Sequence, residues 1–419
     1  MKSIYILLAI GVMAISSVSF GQEIKNYGNT PDPLVPYYQF QKPYKLFFDT
    51  PQQYYGAARD KTIPTGLKTV KLGFLGPLDE STEGSYGNEM LKGAQLALEV
   101  RNKTGGYNGI PYELMINNDI GLWGASGNEL VKMDDAGVWA VLGSVDGNNT
   151  HVAIRVALKL ELPMVNSGTT DPTLTETRIP WVIRCVADDR QQNYALAMHI
   201  FKENGYKNVA ILRANNRYGR VGVSEFADAA RRLGYPIQLH LRYVPGDTAV
   251  TDQLLKIKKS SPDAVLIWGN DDEAALIVNR MRDLGMKQPV FGCDRMISER
   301  FLKLTGKNAE GVVTSSLSNP DSKDPDYLKF VSLYEQKYKE KPGLFAAHAW
   351  DGMNILFQSI DKAGLNKALI RDELTTLGKY EGITGDIIFD HTWNDVGQVW
   401  LAEIKDGKYN FFPANFKVQ

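Results

Sequence analysis

From Val70 onward, short apolar runs alternate with segments in which apolar residues recur every three or four positions. The short runs predict buried strands, and the periodic segments predict amphipathic helices. The predicted strands are 70–75, 114–117, 140–143, 162–165, 181–186, 209–212, 237–241, 264–268, 290–292, 385–390 and 398–404, and the main predicted helices are 87–102, 127–135, 191–204, 221–233, 251–260, 273–284, 325–340, 344–363 and 367–377. Such alternation is typical of parallel sheets with helices on both faces. The pattern starts again after Val186, which predicts two Rossmann-like α/β lobes in tandem.

Two polar loops, 144–150 and 166–172, each follow a short apolar strand, and a helix reaching Leu160 separates them. In a parallel sheet both loops emerge at the carboxyl ends of neighbouring strands, where open α/β sheets bind ligands. Their N–H groups and hydroxyls, placed at helix N-termini, favour an anionic group such as a carboxylate. Neither loop holds an obvious catalytic group, so the pattern indicates a binding site.

The first residues have the composition of a secretory signal peptide. Lys2 precedes an apolar stretch from Ile4 to Ile15, and Ser19 and Gly21 place small residues where signal peptidase reads the chain. This predicts a signal peptide over residues 1–21 and export to the periplasm. An uncleaved membrane anchor is the alternative, although the apolar stretch is shorter than the roughly 20 residues of a membrane-spanning helix.

Residues 22–68 form an extension that differs from the rest of the chain. It is rich in Pro, Tyr, Phe and Gln and lacks helical or strand periodicity. One interpretation is a segment that wraps over the core, because so many aromatic residues do not suit a disordered tail. The other interpretation is a docking segment for a partner.

Charge and motifs exclude several function classes. The formal net charge of −1 argues against nucleic acid as a partner, since nucleic-acid binding usually needs a basic face. Cys185 and Cys293 form no CxxC motif and the histidines are scattered, so we expect no metal site and no cofactor. Export permits a disulfide between the two cysteines, and two separate buried thiols are the alternative. GxSxG, HExxH and GxGxxG are absent and His151 is expected at the surface, so we expect no enzyme.

A series of short motifs follows the same order as in a known family. They are Val70–Pro77, Tyr86–Gly87, Gly93–Ala97, Thr104–Gly106, Val141–Ser144, Leu162–Val165, Gly168–Pro172, Tyr218–Gly219, Asp263–Val265, Gly311–Val312 and Gly385–Asp390. Through them residues 69–413 resemble the type I periplasmic solute-binding proteins, specifically the leucine/isoleucine/valine-binding branch. The resemblance implies two Rossmann-like lobes with parallel-sheet cores, joined by three hinge crossovers. It places lobe 1 at 69–186 plus 317–383 and lobe 2 at 187–316 plus 384–413.

The resemblance also implies which residues bind the carboxylate end of a ligand. Gly147 and Asn148 correspond to the first carboxylate-binding loop, although the family has a hydroxyl residue at the position of Gly147. Thr170, with its neighbour Thr169, corresponds to the position whose N–H and hydroxyl hold the carboxylate. Alternatively, Thr170 and Asp171 cap their own short helix.

At the ammonium end, the resemblance implies the backbone carbonyl of Gly168 and the carboxylate of Asp294, which is one methylene shorter than the Glu typical of the family. Tyr86 corresponds to an aromatic position that covers the ligand, and Tyr218 to a cleft tyrosine of the second lobe. Trp268 lies at or beside another aromatic cleft position. The alternatives are that Asp294 caps the helix near 297–304, that Tyr86 is an ordinary exposed loop residue and that Trp268 packs in the core.

By this resemblance the protein is a non-catalytic, monomeric receptor that captures a small amino acid or related carboxylate. The resemblance implies that it delivers the ligand to an ABC importer, whose permease and ATPase would be its partners. The alternative function is a ligand-sensing or docking module of the same fold, acting with a membrane signalling or respiratory partner through the extension.

Overall fold

The structure is a computed structural model that describes Leu34, residues 54–120 and residues 124–415. The predicted signal peptide and most of residues 22–53 lie outside this part of the chain. Among the described helices, none combines the length and apolar character that crossing a membrane requires.

The first lobe is built on a parallel sheet of five strands. These are β1 (Val70–Gly76), β2 (Tyr112–Asn118), β3 (Val141–Gly143), β4 (Met164–Asn166) and β5 (Val182–Arg184), in the order β2-β1-β3-β4-β5. The helices between them are α1 (Thr82–Lys103), α2 (Ala125–Asp135), α3 (Gly147–Leu160) and α4 (Thr173–Glu176). Strands β3, β4 and β5 are wholly buried, which explains why each appears in the sequence as a short apolar run.

The second lobe is built on a sheet of seven strands. These are β6 (Val209–Ala214), β7 (Leu239–Tyr243), β8 (Ala264–Trp268), β9 (Val290–Gly292), β10 (Val313–Ser316), β13 (Trp400–Lys405) and β14 (Lys408–Pro413), in the order β14-β13-β10-β9-β8-β6-β7. Five of them run parallel, and β13 and β14 join antiparallel at one edge. The helices of this lobe are α5 (Asp189–Ala197), α6 (Arg217–Arg232), α7 (Thr251–Ser260), α8 (Asp271–Asp283) and α9 (Glu299–Thr305). The two predicted lobes are therefore confirmed as α/β units.

Two helices begin earlier than predicted because of their N-caps. Helix α1 begins at Thr82 instead of Gly87, since Ser81 Oγ accepts a hydrogen bond from the N–H of Gly84 at 3.0 Å. Helix α3 begins at Gly147, inside the predicted 144–150 loop, since the Asp146 carboxylate accepts from the N–H of Asn149 at 2.9 Å. The ligand-side loop of β3 is correspondingly shorter.

The remaining elements are α10 (Pro325–Tyr338), α11 (Leu344–Ala363), α12 (Lys367–Thr376) and a hairpin of β11 (Lys379–Gly382) and β12 (Gly385–Ile388). Helix α11 packs closely on α1, because a β carbon at Gly93 would lie 2.1 Å from the backbone oxygen of Ala346. Ile387 of β12 belongs to the same apolar cluster as β1 and α11. The lobe boundaries derived from the sequence stay a prediction.

The chain passes between the lobes after β5, after β10 and after β12. Arg184, fully buried at the end of β5, donates to the side-chain oxygen of Asn394 at 2.8 Å and to the carboxylate of Asp188 at 2.9 Å. The amide of Asn394 also donates to Asp188 at 2.9 Å. The first and third crossings are thus joined by one buried network. Cys185, beside it, and Cys293 are both buried free thiols, so the disulfide alternative is wrong.

The described part of the extension packs on the first lobe. The Glu161 carboxylate, at the end of α3, accepts hydrogen bonds from the N–H groups of Ala57 at 2.9 Å and Ala58 at 2.8 Å. The ring of Tyr54 meets that of Trp181 edge to face, with ring centres 5.4 Å apart. This part of the extension therefore wraps over the core.

Candidate functional site

The two polar loops lie side by side and are bonded to each other. Thr169 Oγ1 donates to the backbone oxygen of Ser144 at 2.9 Å. Asn166 Nδ2 donates to the backbone oxygens of Gly143 and Ser144, each at 3.0 Å. These bonds hold the N-terminus of α3 beside the loop that follows β4, at the carboxyl edge of the sheet.

The loops face a narrow space between the lobes, with a cavity volume of about 10 Å³. The first lobe lines it with Val145, Gly147, Thr169, Thr170 and Asp171, and the second lobe with Asp189, Arg217, Tyr218 and Arg295. Gly147, Thr169, Thr170 and Tyr218, all named from the sequence, thus meet around one space. A ligand there would touch both lobes.

Asp294 lies directly behind the cavity wall. Its carboxylate accepts a hydrogen bond from the hydroxyl of Tyr218 at 2.7 Å, and both side chains are buried. Ser298 Oγ, which accepts from the N–H of Phe301 at 2.9 Å, is the N-cap of α9. The alternative that Asp294 caps this helix is therefore wrong.

Four other residues named from the sequence do not line the cavity. Asn148 is exposed, and Gly168 is buried against Met90. Trp268 is fully buried at the end of β8, with its ring centre 5.8 Å from that of Tyr218, so it supports the cavity wall from the core. Tyr86 is a buried residue of α1, not an exposed loop residue, and reaches the cavity only through Arg295.

Gly147 leaves room for an ion pair that crosses the cleft. A β carbon at this position would lie 3.2 Å from the Asp171 carboxylate and 3.3 Å from Nε of Arg217. Those two side chains form an ion pair between the lobes, and His151 lies 3.6 Å from the same carboxylate. Burial alone would raise the pKa of Asp171, but His151 and Arg217 hold that pKa well below its usual range. At residue 147, where the family has a hydroxyl side chain, this protein therefore has a glycine packed against the Asp171–Arg217 ion pair.

Asp189 was not named from the sequence, although it lines the cavity. Its side chain is fully buried, and neither carboxylate oxygen makes a hydrogen bond of good geometry with the described residues, although the side chain of Thr170 is close enough to lower the pKa of Asp189 in part. One oxygen of Asp294 is unpaired in the same way. Burial, together with the charge of Asp294, raises the pKa of Asp189 well above its usual range. Within the described part of the chain, three carboxylate oxygens in this region therefore make no hydrogen bond of good geometry.

Arg295 is another cavity residue that the sequence did not indicate. It is 4 % exposed and belongs to a short 3₁₀ turn, Asp294–Met296, at the end of β9. An acidic residue followed by an arginine gives no periodic signal, so only the fold shows that the arginine enters the cleft.

Comparison with known proteins assigns the family. A model described as periplasmic binding protein matches residues 69–408. The chain belongs to the periplasmic binding protein family. It is 25% identical over 356 residues to the Leu/Ile/Val-binding protein homolog 2 of Brucella abortus, covering 83% of this chain and 94% of that protein. It is 23% identical to the leucine-, isoleucine-, valine-, threonine- and alanine-binding protein of Pseudomonas aeruginosa, covering 77% and 86%.

Solved structures agree with this periplasmic binding protein fold. The branched-chain amino acid transporter substrate-binding protein LivJ of Streptococcus pneumoniae, in complex with isoleucine, has a TM-score of 0.76 and 26% identity, covering 83% of this chain and 99% of LivJ. The leucine-binding protein LivK of Thermotoga maritima also has a TM-score of 0.76, with 24% identity and coverage of 83% and 99%. Membership of the family implies a periplasmic location and a binding protein.

Proposed function

We propose that this protein is a periplasmic receptor that captures a small amino acid or related carboxylate in the cavity between its lobes. The observation that carries the proposal is the set of three unpaired carboxylate oxygens on Asp189 and Asp294. A buried carboxylate needs a compensating partner, and an ammonium group offers three N–H donors. A ligand ammonium bound there would give these oxygens their donors.

The opposite wall of the cavity suits a carboxylate. Gly147 is the first residue of α3, and the first N–H groups of a helix have no partner within the helix. The helix dipole adds a partial positive charge at the same end. With the loop of Thr170 beside it, this wall supplies donors, while Asp189 of the second lobe, with Asp294 behind it, supplies acceptors. A zwitterion would bridge the two lobes and favour their closure.

The relatives support delivery to an importer. By their names they bind branched-chain and other small amino acids, and the LivJ structure contains isoleucine. The proposed partner is therefore an ABC permease with its ATPase. The proposed receptor is a monomer whose signal peptide is cleaved. The described part of the extension is engaged on the first lobe, so it offers no support for a docking module.

Calorimetric titration of the chain from residue 22 to its end tests the proposal, with a panel of amino acids, amides and short or aromatic carboxylates. We expect at least one α-amino acid to bind and Asp294→Asn to weaken its binding at least tenfold, about 1.4 kcal/mol. Asp283→Asn is the control, because that side chain is 64% exposed on α8 and should leave affinity unchanged. Absence of binding by every compound would contradict the proposal.

A further inference from the structure

The side chain of Arg295 lies between the rings of Tyr218 and Tyr86. Its guanidinium carbon lies 3.7 Å from the ring centre of Tyr218 and 5.4 Å from that of Tyr86. Tyr218 belongs to the second lobe and Tyr86 to the first, so the guanidinium lies between aromatic faces from both lobes. An arginine held this way is a fixed part of the cavity wall.

Most of the hydrogen-bonding capacity of this guanidinium is unused. Nη1 donates to the side-chain oxygen of Asn270 at 2.8 Å and lies 3.3 Å from the Glu83 carboxylate. Among the described residues no partner is found for Nε or Nη2, which together carry three of the five N–H donors of an arginine. Because the side chain is buried and lines the cavity, these donors need an acceptor from whatever fills that space.

We propose that Arg295 makes this receptor selective for amino acids whose side chain is uncharged and ends in an oxygen acceptor, a carboxamide or a hydroxyl. This inference rests on the proposed function. A branched aliphatic side chain would bury the guanidinium donors without giving them a partner, which lowers affinity by about one to two orders of magnitude. A carboxamide or hydroxyl oxygen would accept hydrogen bonds from these donors.

The charges around the cavity disfavour an acidic side chain. Asp171 and Arg217 neutralise each other, and the guanidinium of Arg295 lies 3.3 Å from the Glu83 carboxylate, so both arginines of the cavity wall already have an acidic partner. A second carboxylate on the ligand would add a negative charge that neither arginine is left to balance. The uncharged acceptor is therefore the side chain that satisfies both the free donors and the charge balance.

The test is calorimetric titration of the full-length mature chain with asparagine, glutamine, threonine, leucine, isoleucine and aspartate. We expect the best of asparagine, glutamine and threonine to bind at least tenfold more tightly than leucine, isoleucine and aspartate. Arg295→Met, which keeps an unbranched apolar side chain but removes every donor, should reduce this ratio at least tenfold. Arg231→Met is the control, because that side chain is 58% exposed on α6 and should leave the ratio unchanged.

The outcomes separate the two proposals. If neither an amino acid nor any other compound of the larger panel binds the wild-type protein, the proposed function fails. If only a carboxylate or amide that is not an amino acid binds, the receptor function stands and the role of Arg295 is wrong. If leucine, isoleucine or aspartate binds as tightly as the polar group, or if Arg295→Met keeps the wild-type ratio, the receptor function stands and the role of Arg295 is wrong. The ratio of affinities in the wild-type protein is measured without any variant. The inference can therefore be contradicted even if Arg295→Met folds poorly.

Discussion

At the scale of single residues, the buried carboxylates of Asp189 and Asp294 lower the stability of the ligand-free protein and serve ligand binding. Both oxygens of Asp189 are buried without a hydrogen bond of good geometry to the described residues, and Asp294 is close enough to raise the pKa of Asp189 further. We expect Asp189→Asn to raise the free energy of unfolding of the ligand-free protein by about 1–3 kcal/mol near neutral pH. The same change should weaken ligand binding at least tenfold. Thermal melting and calorimetric titration measure the two effects.

The stability gain should depend on pH in one direction. Because the pKa of Asp189 is raised in the folded state, the folded protein holds a proton that the unfolded chain has released. The contribution of Asp189 to stability therefore falls as the pH rises above the usual range of an aspartate. The advantage of Asp189→Asn should grow from pH 4 to pH 8, and exposed Asp283→Asn should show no such trend. A variant less stable than wild type throughout this range would contradict the argument.

The sequence predicted the first-lobe side of the site more fully than the second-lobe side. Gly147, Thr169 and Thr170 lie in loops whose place at the sheet edge follows from the alternation of strand and helix. Asp189 and Arg295 lie where the chain has just left a strand, and their side chains meet the cavity only when the lobes face each other. That relation depends on tertiary geometry, which periodicity does not encode.

At the scale of elements, apolar runs predicted the strands well wherever the buried side chains were apolar. Strand β10 was not predicted, because three of its four residues carry hydroxyls, although all four are buried. Two of those hydroxyls find partners: Ser315 Oγ donates to the side-chain oxygen of Gln192 at 2.7 Å, and Ser316 Oγ donates to the backbone oxygen of Ser318 at 2.7 Å. Burial satisfied by hydrogen bonds leaves no trace in a hydropathy pattern.

The extension gives an element-scale prediction. Glu161 accepts hydrogen bonds from the N–H groups of Ala57 and Ala58, so Glu161→Ala removes one of the contacts that hold this segment on the first lobe. We expect trypsin to cut after Arg59 and Lys61 several-fold faster in this variant, because a protease requires the backbone to leave the surface. Ligand affinity should not change. Glu335→Ala, an exposed residue of α10, is the control, and equal cleavage of both variants would show that Glu161 is not the anchor.

At the scale of the whole molecule, contacts that cross the cleft set how readily the lobes close. Asp171 and Arg217 form an ion pair across it, and Arg295 of the second lobe approaches Glu83 of the first lobe at 3.3 Å. These contacts exist between protein groups alone, so they lower the free energy of the closed form whether or not a ligand is bound. A bound ligand then stabilises the closed form further, by the difference between its binding free energies for the closed and open forms.

This balance predicts a measurable opening of the ligand-free protein. Arg217→Met removes one partner of the ion pair across the cleft. It leaves intact the buried network of Arg184, which joins the first and third crossings between the lobes. We expect a larger radius of gyration by small-angle scattering without ligand, and a radius equal to wild type once the variant is saturated. The dissociation constant should rise, because less of the protein is closed before binding. Arg231→Met should match wild type in each measurement. If Arg217→Met leaves the ligand-free radius unchanged while affinity falls, then Arg217 acts on the ligand directly and not through closure.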